Sequence, residues 1–561
     1  MPSTQRAWTH ALRAQRHAWL LVLIAASVAI AWIASSYCHS AGDTKGTLLV
    51  SQEIVQHGSV RLDRYDEAEL RRFGYPLSRK NGHLYDFFPL GTPLLSTPFV
   101  AVANLFGLNV YDHHDDDAVQ MTIAATVVVA MLWLLFGMAR LFLDPWPAAG
   151  IAVVCVLGTS VTSTGLSSLF SHDFAALAAT VAIYLAVRGI RQGTRVRVIL
   201  VGGCLFLAYL CRPTMSLLAP FLLLYVFLYR RIAAVQCGAV LAALLVGFML
   251  WSQHEYGQWL PNYYLPQRLS PTDFATAAWQ DLFGPSRGLF VFSPFLALVP
   301  PLALLLVLVR RDRDYLCTLL VGLAWPIVHW LAIARFPHWW AGWSFGPRLM
   351  FDCLPGLFLA LFHSLHLLRG SRAWVYALIA VLGAFSIYVN VYQAFVNPYP
   401  MRWNAEPNVD DYPEYVSDWR YPQFLHDAER HRRRLDEFKR ILELPSDSPD
   451  PMFSGFSPPR GGLRWNTTGS STIRLPLPPG NLPEGRLLVA GHLSGDHALR
   501  IVLNGHVIYE GRHVGGHMRL PITFDPAWFV AGDNVLAFEV TDAPGKPDLF
   551  GLASLSVFPH P

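Results

Sequence analysis

Long apolar runs alternate with short polar connectors through the first 393 residues of the chain, and no comparable run follows. A helix that crosses a bilayer needs about 20 mostly apolar residues. The pattern therefore predicts about eleven membrane-spanning helices. Their approximate bounds are 18–35, 118–139, 147–164, 173–189, 196–211, 214–229, 232–251, 288–309, 315–333, 349–368 and 373–393.

Basic residues occur in alternate connectors, and this regularity predicts the orientation of the chain. Lys and Arg are enriched on the cytoplasmic side of membrane proteins. The basic connectors are the N-terminus, 188–197, 230–231, 310–313 and 369–372. We therefore expect a cytoplasmic N-terminus, with loops 36–117, 165–172, 252–287 and 334–348 and everything after residue 393 outside.

The first external loop, 36–117, contains two helical patterns. The segment Thr47 to His57 has helical spacing and ends at Gly58. The segment 88–108 is apolar, but Pro89, Pro93 and Pro98 interrupt it. We interpret it as an interfacial or re-entrant helix, because irregular backbone is excluded from lipid-exposed spans.

The region after the last span predicts a connector and a separate β domain. The connector, 396–462, contains a helical pattern over 424–444 with the basic run His431 to Arg434, which suits either a solvated face or anionic lipid head groups. Residues 463–561 contain short β-type runs between turn signals, with Asn504-Gly505 as a two-residue hairpin turn. This pattern predicts an all-β sandwich.

Composition narrows the classes of function. The chain is 53% hydrophobic and only 15% charged, whereas soluble domains usually carry about 25% charged residues. It lacks the long basic run that nucleic-acid binding requires. The seven cysteines are scattered without a CxxC pair, which argues against disulfides or a zinc site.

The external loops combine acids, cations and aromatic residues. Transfer of a sugar from a lipid phosphate needs a carboxylate to take the acceptor proton and cations to hold the departing phosphate. The candidate acids are Asp43, Asp66, Asp86 and Asp173, and the candidate cations are Lys45, Arg212, Arg287 and Arg348. The sequence therefore places the parts of such a reaction on one side of the membrane.

Each candidate also has a structural interpretation. Asp43 precedes a helix and suits an N-cap as well as a base. Arg287 and Arg348 lie at span ends, where arginine often extends to lipid head groups. The aromatic run around Trp339 and Trp343 suits an interfacial belt or a sugar platform, and the acidic run 112–117 suits a solvated surface or a metal site.

Several segments, in this order, resemble the GT-C glycosyltransferases, which take sugars from polyprenyl-phosphate carriers; the aminoarabinose and protein mannosyl transferases are the nearest subgroup. The resemblance covers about residues 18–395. It is carried by GDTK at 42–45, QEIVQHG at 52–58, FPLGTPLL at 88–95, LFG at 105–107, SLFSHD at 168–173, GPSRG at 284–288 and WWAGWSFGPR at 339–348. In 463–561, IVLNGHVIYEG and GDNVLAFEV resemble jelly-roll modules of the galactose-binding type.

The resemblance implies a bacterial plasma-membrane enzyme with a GT-C domain at 1–395. Its donor would be a polyprenyl-phosphate sugar, its acceptor a glycan, lipid or protein, and its surroundings membrane lipid. Asp43 would be the general base, with His172 and Asp173 orienting the acceptor or a divalent metal. Donor-phosphate ligands would come from Lys45, Arg212, Arg287 and Arg348, and substrate contacts from Asp86, His338, Trp339 and Trp343.

Two other functions fit the same topology. A flippase or transporter of lipid-linked saccharides predicts ionisable residues at mid-span and inverted repeats. A polymerase of surface polysaccharide predicts one dominant external loop. Few charges inside the spans and several polar external loops favour the transferase hypothesis.

Overall fold

The structure is a computed structural model of the 561-residue chain. It describes residues 3–36, 42–265, 273–368, 373–410, 412–438, 442–448, 452–468, 470–477, 483–513, 515–530 and 532–559. The chain forms two compact units, Met1–Ala428 and Glu429–Pro561. The predicted connector is thus divided between the units, with its first 33 residues in the unit that also contains the apolar helices.

The first unit is almost entirely helical and has one short hairpin. Its described helices are α1 (Ser3–Ser36), α2 (Thr47–His57), α3 (Glu67–Arg72), α4 (Gly91–Leu105), α5 (His113–Ala139), α6 (Pro145–Leu157), α7 (Ser160–Ser163), α8 (Ser171–Arg191), α9 (Val198–Cys211), α10 (Leu218–Tyr229), α11 (Arg231–Tyr256), α12 (Phe274–Phe283), α13 (Leu289–Phe292), α14 (Val299–Arg310), α15 (Arg313–Leu319), α16 (Trp325–Ile333), α17 (Leu354–Leu367), α18 (Ala373–Ile387) and α19 (Tyr399–Ala405). Strands β1 (Leu77–Lys80) and β2 (His83–Asp86) pair antiparallel.

The apolar helices fit a multi-pass membrane protein. In the described part of the chain, seven helical segments are long and apolar enough to cross a membrane: Ala18–Ser35, His113–Ala139, Ser171–Arg191, Arg231–Tyr256, Arg313–Ile333, Arg348–Leu367 and Ala373–Val396. Four shorter apolar helices, Pro145–Leu157, Val198–Cys211, Pro213–Tyr229 and Pro294–Arg310, coincide with the other predicted spans. The total of eleven stays a prediction, because these four are shorter than a full crossing.

The first long loop folds against the helices. Helix α2 ends where the sequence predicts, since Gly58 adopts the left-handed backbone (φ 64°) that closes a helix. Helix α4 approaches the end of α9 so closely that a Cβ on Gly91 would lie 2.5 Å from the backbone nitrogen of Cys211. A glycine here lets the loop reach the turn that carries Arg212.

The chain after the last apolar helix folds back onto the same unit. Trp403 of α19 is fully buried and donates its indole N–H to the Tyr421 carbonyl at 2.8 Å. Gln423 donates to the Ser344 carbonyl at 2.9 Å. These contacts fasten the 399–425 segment to the loop 334–348.

The second unit is a β-sandwich. One sheet has the order β10 (Gly516–Thr523), β7 (Pro483–Leu493), β12 (Phe550–Pro559), β3 (Leu442–Pro445), with β5 (Arg464–Trp465) also paired to β12. The other has the order β4 (Phe453–Ser454), β6 (Ser470–Leu477), β11 (Gly532–Val540), β8 (His497–Leu503), β9 (His506–His513). Alternate residues of both sheets form one apolar core, which explains the period-two pattern of the sequence.

Two predicted details of this unit have different outcomes. The Asn504-Gly505 turn joins β8 to β9, and both residues have positive φ (48° and 87°). The predicted helix over 424–444 is shorter, as α20 (Ala428–Phe438). Its basic run does not form a single open face, because His431 and Arg434, which are three positions apart, are buried, whereas the two arginines between them are exposed.

Candidate functional site

A cavity of about 670 Å³ in the first unit brings together residues that are far apart in the chain. Its polar lining includes Asp43, Arg212, His338, Arg348 and Asp410. Much of the wall is apolar and includes Phe87, Phe88, Leu217, Ala332, Ile333, Phe336 and Leu349. A mostly apolar cavity with a few charged groups suits a ligand that has a lipid part and a charged part.

Asp43 lies in a 3-10 turn, Gly42–Thr44, just before α2. The N-cap of α2 is Gly46, and no side chain caps this helix end. The capping interpretation of Asp43 is therefore wrong. Its carboxylate Oδ2 instead accepts a hydrogen bond from Nη2 of Arg348 at 2.7 Å.

Arg348 begins the 3-10 turn Arg348–Cys353 that leads into α17. Its side chain is 12% exposed, and its guanidinium lies 4.7 Å from the centre of the Phe170 ring. The buried Nε has no hydrogen-bond acceptor in the described part of the chain. Arg348 therefore keeps donors for a further anion while it holds Asp43.

Asp352 organises a buried network beside this pair. Its Oδ1 contacts Nδ1 of His172 at 2.8 Å, and its Oδ2 accepts from Nε of Arg212 at 2.9 Å. Arg212 also donates to Ser171 Oγ at 3.2 Å, and His329 Nε2 lies 4.0 Å from Asp352 Oδ2. The network presents the guanidinium of Arg212 to the cavity in a fixed orientation.

A second, water-sized space of about 20 Å³ lies among Asp43, His172 and Arg212. A cavity of roughly 10–15 Å³ is enough for one water molecule. Nε2 of His172 is buried and has no partner among the described residues. His172 can therefore contact a small polar group placed between it and the Asp43 carboxylate.

The loop 334–348 contributes a third polar group. His338 Nε2 and Trp340 Nε1 both bind Oδ1 of Asp410, at 2.7 and 2.9 Å. Trp343 donates its indole N–H to Asn408 Oδ1 at 2.8 Å. Of the three predicted substrate contacts in this loop, His338 and Trp343 line the cavity, whereas Trp339 packs beside Trp403 and Val409 outside it.

The sequence predicts that Arg287 binds the donor phosphate, whereas the structure places its donors on acceptors of the protein itself. Its guanidinium is buried and donates to the carbonyls of Trp340, Gly342 and Ser286 and to the side chains of Gln423 and Asn404. It does not line the cavity. Its donors hold the returning C-terminal segment against the loop 334–348.

Lys45 and Asp173 also lie away from the cavity lining. Lys45 donates to the Phe73 carbonyl at 2.7 Å. Asp173 is fully buried and points to Gly165, where an added Cβ would lie 2.9 Å from its Oδ1. It follows His172 on a helix, where neighbouring side chains point about 100° apart, and of the two only His172 lines the small space beside Asp43.

Asp86 is packed behind the site. Its carboxyl lies against the backbone at Gly46, where a Cβ would be 2.6 Å from Oδ1. It does not line the large cavity. Burial raises the pKa of Asp86 to about 7, and the charge of nearby Asp43 adds to this effect.

The Asp86 pKa predicts a pH-dependent stability difference. The folded state binds the proton more tightly than the unfolded state, so the contribution of Asp86 is fully present below pH 4 and is lost as pH rises towards 7. As pH rises from 4 to about 7, the wild type should lose stability that Asp86→Asn keeps. At higher pH the difference in stability between the two proteins should stay constant. Thermal unfolding of both proteins from pH 4 to 8 measures this difference; a difference that does not change with pH contradicts it.

The described residues do not support a metal centre. They contain no group of three His, Cys, Asp or Glu side chains arranged to hold an ion. In the acidic run 112–117, Asp112 caps α5 by accepting from the backbone N–H groups of His114 and Asp115, and Asp116 accepts from Gln120. These two acids of the run therefore serve helix capping and a local hydrogen bond.

Sequence reasoning missed Asp352 and Asp410. Asp352 lies inside a predicted span, and an acid at such a position is itself a signal of function. Asp410 lies in a polar, proline-bearing stretch with no local pattern that marks it. Only the return of the chain to the loop 334–348 reveals its place.

Comparison with known proteins finds structural but no sequence relatives. No family model and no curated protein matches the chain. Similar solved structures include ArnT from Cupriavidus metallidurans bound to undecaprenyl phosphate (TM-score 0.45, 14% identity, 65% of this chain and 63% of that chain) and the apo oligosaccharyltransferase of Archaeoglobus fulgidus (TM-score 0.39, 15% identity, 72% and 60%). This chain thus covers less than two-thirds of either.

The β-sandwich has a likeness of its own. A family 35 carbohydrate-binding module from Clostridium thermocellum matches 21% of this chain over 97% of that module, with TM-score 0.16 and 13% identity.

The two membrane-protein matches are GT-C glycosyltransferases, the class that the sequence resembles. The fold is that of a polytopic helical membrane protein with a C-terminal β-sandwich.

Proposed function

We propose that this protein is a glycosyltransferase that moves a sugar from a polyprenyl-phosphate carrier to an acceptor on the outer face of a bacterial plasma membrane. One observation carries the proposal. Asp43 and Arg348, 305 positions apart, pair at 2.7 Å in the wall of a cavity that also contains Arg212. A carboxylate beside two arginines combines a base with a phosphate site.

The reaction follows from these positions. The donor phosphate takes the free donors of Arg348 and Arg212, and the apolar wall receives the first part of the polyprenyl chain. Asp43 takes the proton of the acceptor hydroxyl while the hydroxyl oxygen attacks the anomeric carbon of the sugar. The carbon–oxygen bond to phosphate breaks, and the polyprenyl phosphate leaves with the electron pair, stabilised by the two guanidinium groups.

The Asp43–Arg348 contact joins the base to the phosphate site. One guanidinium can hold the Asp43 carboxylate through Nη2 and offer its remaining donors to the donor phosphate. In this scheme the base and the leaving group are held next to each other.

Release of free polyprenyl phosphate tests the proposal. Purified protein in lipid is supplied with a panel of polyprenyl-phosphate sugars and candidate glycan, lipid and protein acceptors. We expect release from at least one donor, with the sugar recovered on the acceptor or on water. Carrier movement across the bilayer without release from any donor would contradict the transferase and favour the flippase hypothesis.

Arg348→Lys provides a specific test of the phosphate site. Lysine keeps the charge but loses the planar fork that can hold Asp43 and a phosphate together. Loss of one charge-assisted hydrogen bond costs about 1.5–3 kcal/mol, so we expect a roughly 10- to 100-fold weaker apparent donor affinity. Donor titration of the release rate measures it.

Arg335→Lys is the matched control, because Arg335 is exposed and lies one residue before the cavity residue Phe336. It should leave the donor affinity unchanged. Equal donor affinities for Arg348→Lys and the wild type would remove Arg348 from the phosphate site.

A further inference from the structure

Asp410 has one oxygen held by the protein and one left for a ligand. Oδ1 accepts from both His338 and Trp340. Oδ2 has no hydrogen bond in the described part of the chain and lies 3.4 Å from the position that a Cβ on Gly342 would take. Asp410, His338 and Gly342 all line the cavity, and the Asp410 side chain is 37% exposed.

The charge state of Asp410 suits a hydrogen-bond acceptor. Partial burial alone would raise its pKa, but the hydrogen bonds from His338 and Trp340 outweigh burial and hold the pKa of Asp410 below its ordinary value. The carboxylate is therefore ionised at neutral pH. An ionised carboxylate accepts hydrogen bonds and donates none, so its partner must carry O–H or N–H groups.

An oriented aromatic ring lies in the same wall. The bond from Trp343 Nε1 to Asn408 restrains the indole, and Trp343 remains 39% exposed at the cavity. The backbone between His338 and Trp343 has left-handed geometry at Ala341 (φ 61°) and Gly342 (φ 59°). Such geometry at a non-glycine residue costs free energy and is typical of ligand-binding segments.

We propose that Asp410, with His338 and Trp343, recognises the sugar of the lipid-linked donor. Oδ2 of Asp410 accepts from a hydroxyl or amino group of the sugar, and the Trp343 ring packs against the apolar face of the sugar. This inference rests on the proposed function and extends it, because it places sugar selection on a group separate from the base and the phosphate ligands. Asp410 lies in the segment that returns from the last span, so that segment completes the substrate site.

The position of Asp410 relative to the arginines supports the donor sugar as the ligand of Asp410. Arg212, Arg348 and Asp410 line one continuous cavity. A phosphate held by the arginines carries its sugar into that same space through a single oxygen. The arginines supply positive charge for the phosphate, and Asp410 supplies a hydrogen-bond acceptor for the O–H or N–H groups of the sugar. The two sets of groups therefore match the two ends of such a ligand.

Direct binding separates sugar recognition from lipid-phosphate recognition. The full chain in lipid nanodiscs is titrated with undecaprenyl phosphate, with undecaprenyl phosphate linked to a neutral pentose, a neutral hexose or an amino sugar, and with the corresponding methyl glycosides. Asp410→Asn keeps a carbonyl oxygen for His338 and Trp340 but replaces the free acceptor by a donor. Asp418→Asn is the matched control, because Asp418 pairs with Arg420 and does not line the cavity.

We expect the wild type to bind one glycosylated lipid more tightly than undecaprenyl phosphate. Asp410→Asn should reduce that preference about 10- to 100-fold, the effect of losing one hydrogen bond to a charged group. Its affinity for undecaprenyl phosphate should not change, and the control should behave as the wild type. A greater loss for the amino sugar than for neutral sugars identifies an ammonium partner, and a loss restricted to neutral sugars identifies a hydroxyl.

The outcomes distinguish the two proposals. An unchanged sugar preference in Asp410→Asn overturns the role of Asp410 and leaves the transferase proposal in place. If the wild type binds a methyl glycoside through Asp410 but binds no polyprenyl phosphate, the transferase proposal is wrong and the sugar site stands. Absence of any sugar preference or glycoside binding in the wild type overturns the sugar site.

Discussion

Replacing Asp43 by asparagine is expected to lower the rate of sugar transfer by about 100- to 10,000-fold, which is the usual contribution of a general base. Asparagine can still accept from Arg348 through its carbonyl oxygen, so the geometry of the pair should survive. Asparagine cannot take a proton from the acceptor. The expected result is therefore a loss in kcat with little change in the binding of undecaprenyl phosphate.

The control for Asp43→Asn is a second carboxylate that belongs to the same external loop but lies outside the site. Asp117 satisfies this condition, because it is half-buried at the start of α5 and does not line the cavity. Asp117→Asn should keep the wild-type rate. If Asp43→Asn retained full activity in correctly inserted protein, another group would have to be the base.

Replacing Asp352 by asparagine is expected to destabilise the protein by about 3–5 kcal/mol, the usual cost of removing one partner of a buried ion pair. Asp352 is fully buried and is hydrogen-bonded to both His172 and Arg212. Its loss leaves the Arg212 charge without its buried partner. Unfolding in detergent, followed by intrinsic fluorescence, measures the change, and donor binding should weaken because Arg212 is no longer held in place.

A double-mutant cycle shows whether the two residues act as a pair. Arg212→Gln and Asp352→Asn are measured singly and together. We expect the double variant to be less destabilised than the sum of the single variants, since each single change leaves an uncompensated group. Additive effects would show that Asp352 does not stabilise Arg212 and would contradict the positioning role.

The local sequence was sufficient to predict an element wherever the physical cause of that element is local. A window of about 20 apolar residues partitions into lipid by its own composition, so the seven long spans could be recognised one at a time. Helix α2 could be delimited because Gly58 supplies a left-handed residue at its end. The Asn504-Gly505 hairpin could be recognised for the same reason, since both residues readily adopt positive φ.

Local sequence was insufficient wherever a role depends on a distant partner. Arg287 and Arg348 have the same local appearance, each beside proline or glycine at the end of an apolar segment. Five acceptors, two of them on the returning segment, surround Arg287, whereas Arg348 meets one carboxylate and an open cavity. The pattern could not separate an arginine whose donors are taken up inside the fold from one that faces a cavity, because the difference lies in the acceptors that the fold supplies.

The sequence by itself determined that this is a polytopic membrane protein with a β-sandwich and that its acids and cations lie mainly in one set of loops. These properties follow from the hydropathy of short windows and from turn chemistry. Only the tertiary structure decided that Asp43 pairs with Arg348, that Asp352 holds Arg212 and His172, and that Asp410 returns to the cavity. Each of these contacts joins residues from separate helices or loops, and packing of the whole unit is what brings them within hydrogen-bond distance.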